Sequence, residues 1–400
     1  MKKIILGFLL LTSISAAQNG GTIESRFGIG ELDQMLTARQ RGMGGAATAL
    51  QSSADISAIN PASWSAIREL RLAGGLAYEY LSLSKADASI TSGAIKGFSF
   101  VFPLEESFRL RLGSSIQPVS RANYKTIGYG TLDGESYSVL YEGSGGLSMF
   151  RAGLSAEPLP HVKIGAAFQY YFGTIDQLTE LRFDNGTWFD ARQTRATTHS
   201  GSGLHLGVLY DGIRNVHLGV SLRPATSINA SRNLVIEYST ADSTISGASG
   251  TQDIPLAFSA GLAWQLTDAL LLAADYSRQD WTNAEMFEGK QNGQGEAYKF
   301  ALGAEWYPYK NDPDARTLSR TAFRLGFYLQ QPYMAFDNEN AQETFITAGA
   351  GFPIFGANRG DVALEYGWRG SDAHPLGTQH LLRLSLSVTV GEPWFIRNTD

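Results

Sequence analysis

From about Leu70 to the C-terminus, apolar and polar or small residues alternate with a period of two, the spacing at which successive side chains point to opposite faces of a β-strand. Phe98, Phe100 and Phe102 alternate with Gly97, Ser99 and Val101, and Phe108, Leu110 and Leu112 with Arg109, Arg111 and Gly113. The run Val162, Ile164, Ala166, Phe168, Tyr170 and Phe172, set against Lys163, Gly165, Ala167, Gln169 and Tyr171, is long enough to cross a membrane at a tilt. Similar runs lie near Val216–Arg223, Leu270–Tyr276, Tyr298–Trp306, Phe323–Leu329, Val362–Trp368 and Leu382–Val388. The pattern predicts about fourteen strands, give or take roughly two.

Connection lengths point the same way. Short links fall at Pro103–Ser107, Glu157–Pro160, Asp211–Asn215, Leu266–Ala269 and Ile354–Asp361, with a longer one at Tyr307–Arg320. Between them come longer polar stretches, read as outer loops: Lys85–Thr91, Arg121–Gly146, Gly173–Ser200, Ala225–Thr251, Trp281–Gly295, Tyr333–Ala341 and Gly370–Gly377. Short and long in alternation is the habit of an outer-membrane barrel, and it would put both termini in the periplasm. A soluble sandwich or propeller would also alternate, but no repeat of propeller length is present. Tyr78, Tyr80, Tyr170, Tyr171, Trp306, Tyr307, Tyr366 and Trp368 gather near strand ends, as an interfacial girdle requires.

The N-terminus sets the compartment. Lys2 and Lys3, the apolar run Ile4 to Ile14, and small Ser15 and Ala17 form an export signal with cleavage expected near Ala17. The domain reading is therefore a signal peptide over 1–17, a separate segment over 18–69 and a transmembrane β-barrel over 70–400. The middle segment is unlike the barrel. Glu31 to Arg41 holds good helix formers, Gly42, Gly44 and Gly45 break any helix, and Asn60-Pro61-Ala62 is a turn in which Asn bonds nearby backbone and Pro fixes φ.

Ser25 to Gly30 (SRFGIG), Arg41 to Leu50 (RGMGGAATAL), Asn60 to Ala62 (NPA) and the ending Pro393-Trp394-Phe395 together resemble the long-chain fatty acid transporter family, the FadL/OmpP1/TodX group. They are most similar to its Bacteroidetes-type branch, which includes relatives of the PorV component of type IX secretion. The resemblance implies a fourteen-stranded barrel with an N-terminal hatch in the lumen, hydrophobic ligands admitted from outside, and release sideways into the membrane. Only Asn60, Pro61 and Ala62 carry over as hatch motif, with the Gly42, Gly44, Gly45 string beside them. The implied function is outer-membrane transport of long-chain-fatty-acid-like molecules. The alternative is a PorV-like secretion shuttle or binding platform, with a secreted protein as partner.

Composition narrows the rest. With 43% hydrophobic residues the chain is too apolar to be disordered, and its mean hydropathy of −0.13 is the average that lipid-facing and lumen-facing positions produce together. The absence of cysteine excludes disulfides, thiolate metal sites and a Cys nucleophile, and a net charge of −6 offers nucleic acid no basic field. The six histidines show no metal-hydrolase spacing, and Ser221 near His217 is a pairing any polar lumen supplies, so no enzyme, cofactor or metal is expected. The oxygen-rich stretch Asp337–Asn340 lacks calcium-loop spacing. Arg109, Arg111, Arg151, Lys163, Arg223, Lys299, Arg324 and Arg383 are assigned to the lumen with Glu79, Asp275, Glu305 and Glu365, because a lipid-facing charge costs roughly 2–4 kcal/mol at the midplane. They are expected to pair with one another and with the plug. Expected partners are outer-membrane lipid, lipopolysaccharide and a hydrophobic small molecule, and the chain is expected to be a monomer.

Overall fold

A computed structural model describes residues 23–85, 88–184, 188–238, 241–289, 293–308, 320–335, 342–354, 358–371 and 377–392. The expected signal peptide, the Pro393-Trp394-Phe395 ending and Asp337–Asn340 lie outside them. Fourteen antiparallel strands close a barrel. In chain order they are β1 Leu70–Leu83, β2 Ala88–Glu105, β3 (Leu110–Pro118, then Tyr124–Leu132), β4 (Glu135–Gly145, then Ser148–Leu159), β5 Val162–Phe183 and β6 Ala191–Ile213. They continue with β7 (Val216–Arg223, then Thr226–Tyr238), β8 (Ala241–Ile254, then Ala257–Gln265), β9 Leu270–Asp280, β10 Glu296–Trp306 and β11 Ala322–Gln331. The last three are β12 Glu343–Pro353, β13 Arg359–Arg369 and β14 Gln379–Glu392. β14 pairs with β1 from Leu70↔Glu392 to Leu83↔Gln379, so the sheet has no seam there.

Closure is what lipid demands, since an unpaired backbone group in the bilayer has no water to bond. The alternation then sorts the side chains. Leu72, Phe100, Ile164, Phe168, Leu206, Val220, Leu302, Leu325, Ile346, Leu364 and Leu384 stand exposed on the outside, an apolar belt far larger than a soluble protein presents. Their neighbours Ala167, Gln169, Ala263, Ala273, Ala301 and Ala363 are buried in the lumen.

Two sequence expectations change. Three of the stretches read as outer loops are β-hairpins: Tyr124↔Gly143 to Leu132↔Glu135, Ala191↔Leu181 to Ser200↔Phe172, and Thr226↔Ile254 to Tyr238↔Ala241. Past the lipid both faces of a strand can be polar, so the ladder continues after the hydropathy signal stops. The helix suggested by Glu31–Arg41 is only one turn, Ala38–Gly42, opened by a Thr37–Gln40 capping box. Glu31–Leu32 instead pairs as a short strand with Ser120–Arg121.

Residues 23–69 fill the lumen by running round the inside of the wall. They start at the long-hairpin end, where Ser25 Oγ donates to the Asn123 carbonyl and the Arg26 guanidinium lies 3.8 Å over the Tyr141 ring. The helical turn then lies against β11–β14, and the turn Pro61–Ala66 against β3–β6. The chain enters β1 at the short-link end. The first and last described residues thus lie at opposite ends of the barrel.

Leu302→Arg, on the lipid face near the middle of β10, is expected to lower folding stability in vesicles by roughly 2–4 kcal/mol, measured by denaturant titration. An unchanged midpoint would place this face away from lipid.

Candidate functional site: the plugged lumen

The plug approaches the wall backbone to backbone, and paired wall glycines make that possible. Gly303 and Gly326 are partners across β10 and β11; a Cβ on the first would lie 2.4 Å from the Met43 carbonyl oxygen, and on the second 2.1 Å from the Gly44 nitrogen. On β12, a Cβ at Gly349 would lie 3.0 Å from the Cα of Gly42. Gly219, paired with Gly261 across β7 and β8, takes the Thr48 carbonyl oxygen in the same way, while a Cβ at Gly261 would meet the Asp275 carboxylate and the Thr48 side chain. Gly165 and Gly207, paired across β5 and β6, take Pro61–Ala62 and Asn60. Gly44 (φ +65°) and Gly45 (φ +82°) make the reverse turn that delivers the plug to the first slot, a conformation costly for other residues.

Asn60 is fully buried and uses its whole side-chain amide. Its Nδ2 donates to the carbonyls of Thr48 (2.9 Å), Val208 (3.2 Å) and Val220 (3.3 Å), while Oδ1 accepts from Ala62 N–H (3.0 Å). It therefore ties two plug segments to β6 and β7. Asp275 receives the N–H groups of Ala47 and Thr48, both at 2.7 Å.

Two buried ion networks fasten the helical turn. Arg39 forks onto Glu305 at 2.9 Å, Glu305 also accepts from Arg324 at 2.7 Å, and Arg324 reaches Asp361 at 2.8 Å. Arg41 bonds Glu365 at 3.0 Å, and Arg383 joins Glu365 (3.6 Å) to Glu79 (2.5 Å). Asp33 accepts from Lys96 and lies 3.8 Å from Arg41; burial alone would raise its pKa, but Lys96, Arg41 and Arg121 hold it well below the carboxylate range.

The other predicted lumen residues lie as follows. Arg111 donates to the Ile67 carbonyl and pairs with Glu106, and Arg151 donates to the Ala58 carbonyl. Lys163 bonds Gln51 and Asp211, and Lys299 bonds Gln34 at 2.8 Å. Arg223 borders a cavity beside His205 and Ser221. Arg109 is the exception: it sits in the β2–β3 turn with φ +47°, half exposed and paired with Glu157 at 3.1 Å. The turn claims the position before β3 begins, so the strand phase that would send Arg109 inward does not apply. Ser221 bonds His205 Nε2 at 2.7 Å rather than His217, and donates its hydroxyl proton to the Ile59 carbonyl, so it is not set up as a nucleophile. Sequence reasoning missed Asp33, Arg39, Arg41, Lys96 and Asp361; a charge at an inward strand position or in a plug was the available signal.

Strand β3 breaks at Val119–Asn123, after Pro118, and Glu31–Leu32 pairs with the inward-bent piece. The β2–β3 ladder ends at Phe98↔Ile116, and among the described residues the rest of β2 pairs only with β1. A cavity of about 160 Å3 lies beside the same plug segment, lined by Leu32, Ala297, Tyr298, Lys299, Tyr333 and Met334 among others.

One family model, BamG, matches residues 1–399. The chain belongs to the BamG family. No curated protein matches it by sequence. Among solved structures, this BamG-family chain is similar to a Pseudomonas aeruginosa FadL homologue (13% identity, TM-score 0.65, covering 91% of this chain and 100% of that one). It is also similar to the Ralstonia pickettii toluene transporter TbuX (16%, 0.61, 89% and 98%) and to the CymD monoaromatic hydrocarbon channel (15%, 0.60, 90% and 98%). At these identities the likeness shows the fold, a plugged barrel shared by the BamG-family chain and these channels.

Gly326→Val is expected to expel the Gly42–Gly45 turn while leaving the barrel closed. Hydrogen exchange should show faster amides over residues 40–50 with heat-modifiable gel mobility retained. Glu305→Gln should destabilise the protein by about 3–5 kcal/mol in denaturant titration, because it leaves Arg39 and Arg324 buried with one carboxylate fewer.

Proposed function

We propose that the protein is an outer-membrane channel for hydrophobic or amphipathic small molecules. The observation that carries this is the cavity of about 160 Å3 between plug and wall, walled by Tyr298, Tyr333, Leu32 and Met334 and bordered by the plug segment Glu31–Leu32 that pairs with the bent piece of β3. A cavity of about 150 Å3 accepts a benzene-sized guest, so a compact ligand fits better than the long acyl chain that the sequence resemblance implied. The names of the similar channels, for toluene and monoaromatic hydrocarbons, support that substrate class. Release runs sideways through the β2–β3 gap, with Glu31–Asp33 as the element that must move. The short links face the periplasm.

A second reading is a binding platform, with the plug as a permanent filling. The density of ion pairs and glycine contacts along residues 31–62 favours it, because a plug held so widely resists displacement.

Uptake of toluene into vesicles containing the purified protein separates the two. The channel reading expects uptake above empty vesicles and a severalfold loss in Ala297→Trp, which fills the cavity. Equal uptake with and without protein would leave the platform reading.

A further inference from the structure

The lumen cations divide into two groups. Arg39, Arg41, Arg324 and Arg383 each meet a carboxylate within 4 Å. On the opposite wall, Arg151 and Arg223 are electrostatic neighbours of each other and of His205, and among the described residues neither arginine forms an ion pair. Arg151 is fully buried and spends donors on the Ala58 carbonyl and, after its amide is turned, on the oxygen of Gln169. These bonds are neutral and leave the charge uncompensated.

Beside this cluster is a cavity of about 110 Å3, bordered by His205, Ser221, Arg223, Ser259, Ser277 and Gln279. A water in the liquid takes about 30 Å3, so the space holds a few waters or one small oxyanion. His205 is 1% exposed and its Nε2 is committed to Ser221. Arg278 at the margin is already taken by Glu296 at 2.6 Å. A guanidinium buried without a counterion, as Arg151 is, is costly, and an anion in the cavity offsets that charge while accepting hydrogen bonds from the half-buried Arg223.

We propose that this cavity is a binding site for one small monoanion of carboxylate type. Arg223 is its direct partner, and Arg151 supplies positive charge from behind Ala58. Ser259, Ser277 and Gln279 provide further donors at the cavity wall. The carboxylate comes either as a free ion or as the head of an amphiphile. The inference stands apart from the channel reading, since it concerns equilibrium binding and needs no flux.

The test uses full-length purified protein in a neutral detergent, in buffer free of carboxylate and phosphate and at constant ionic strength. Acetate and octanoate are titrated while the thermal unfolding midpoint is followed. A saturable rise with acetate supports the site as one for a free ion; a rise with octanoate alone supports it with an amphiphile head as the ligand. Arg223→Gln should weaken the apparent affinity at least about tenfold, Arg223→Lys should retain part of the response, and Lys125→Gln, exposed on an outer hairpin, should leave it unchanged. Heat-modifiable mobility establishes that each variant is folded. No saturable rise with either anion, or an unaltered one in folded Arg223→Gln, overturns the proposal.

Discussion

The structure depends on how closely one stretch of backbone approaches another inside the barrel. At Gly303, Gly326, Gly219, Gly207 and Gly165 the wall has no room for a single methyl group between itself and the plug. Dispersion falls off steeply with separation, and a gap of half an ångström already forfeits part of it, so contact this close makes plug and wall one packed body. Polar groups of the plug are then near enough for wall side chains to satisfy them. Asn60 reaches two strand carbonyls and Asp275 receives two plug amides because the glycines beside them let the backbone in.

The buried charges follow from the same geometry. A lumen filled with protein excludes much of the water that would solvate them, so each must find a partner. The helical turn puts Arg39 and Arg41 against β10–β14, where Glu305 and Glu365 are waiting, with Glu79 of β1 joined through Arg383, and the two networks lock the turn into one orientation. On the β4–β7 side no carboxylate among the described residues answers Arg151 and Arg223, and a cavity remains. Charge balance and packing therefore make one side of the lumen a fastening and leave the other with unanswered positive charge.

The wall itself is uneven. Opposite the Val119–Asn123 break in β3, two consecutive glycines, Gly145 and Gly146, adopt positive φ, and the plug strand Glu31–Leu32 pairs with the bent piece. Where β2 leaves β3, Asp33 bonds both Lys96 and the Val119 amide carbonyl, so the plug spans the gap it would have to uncover. Any route through the wall is thus coupled to movement of residues 31–33.

By itself the sequence determined the barrel, its strand number and which face of each strand meets lipid, because a period of two under a membrane's demand for apolar surface has one solution. It also marked Asn60-Pro61-Ala62 and the Gly42–Gly45 string as a separate unit. The hairpins beyond the membrane were illegible, since polar faces on both sides erase the alternation while the hydrogen-bond ladder persists. Arg109 was misplaced because a turn interrupts the strand phase that period-two reasoning extends through it. The wall partners of Arg39, Arg41 and Asn60 are 148 to 324 residues away in the chain, and the glycine slots need two strands brought into register. No local pattern encodes such distances; only closing the barrel around the plug decides which charges meet, which glycines face each other and where space is left.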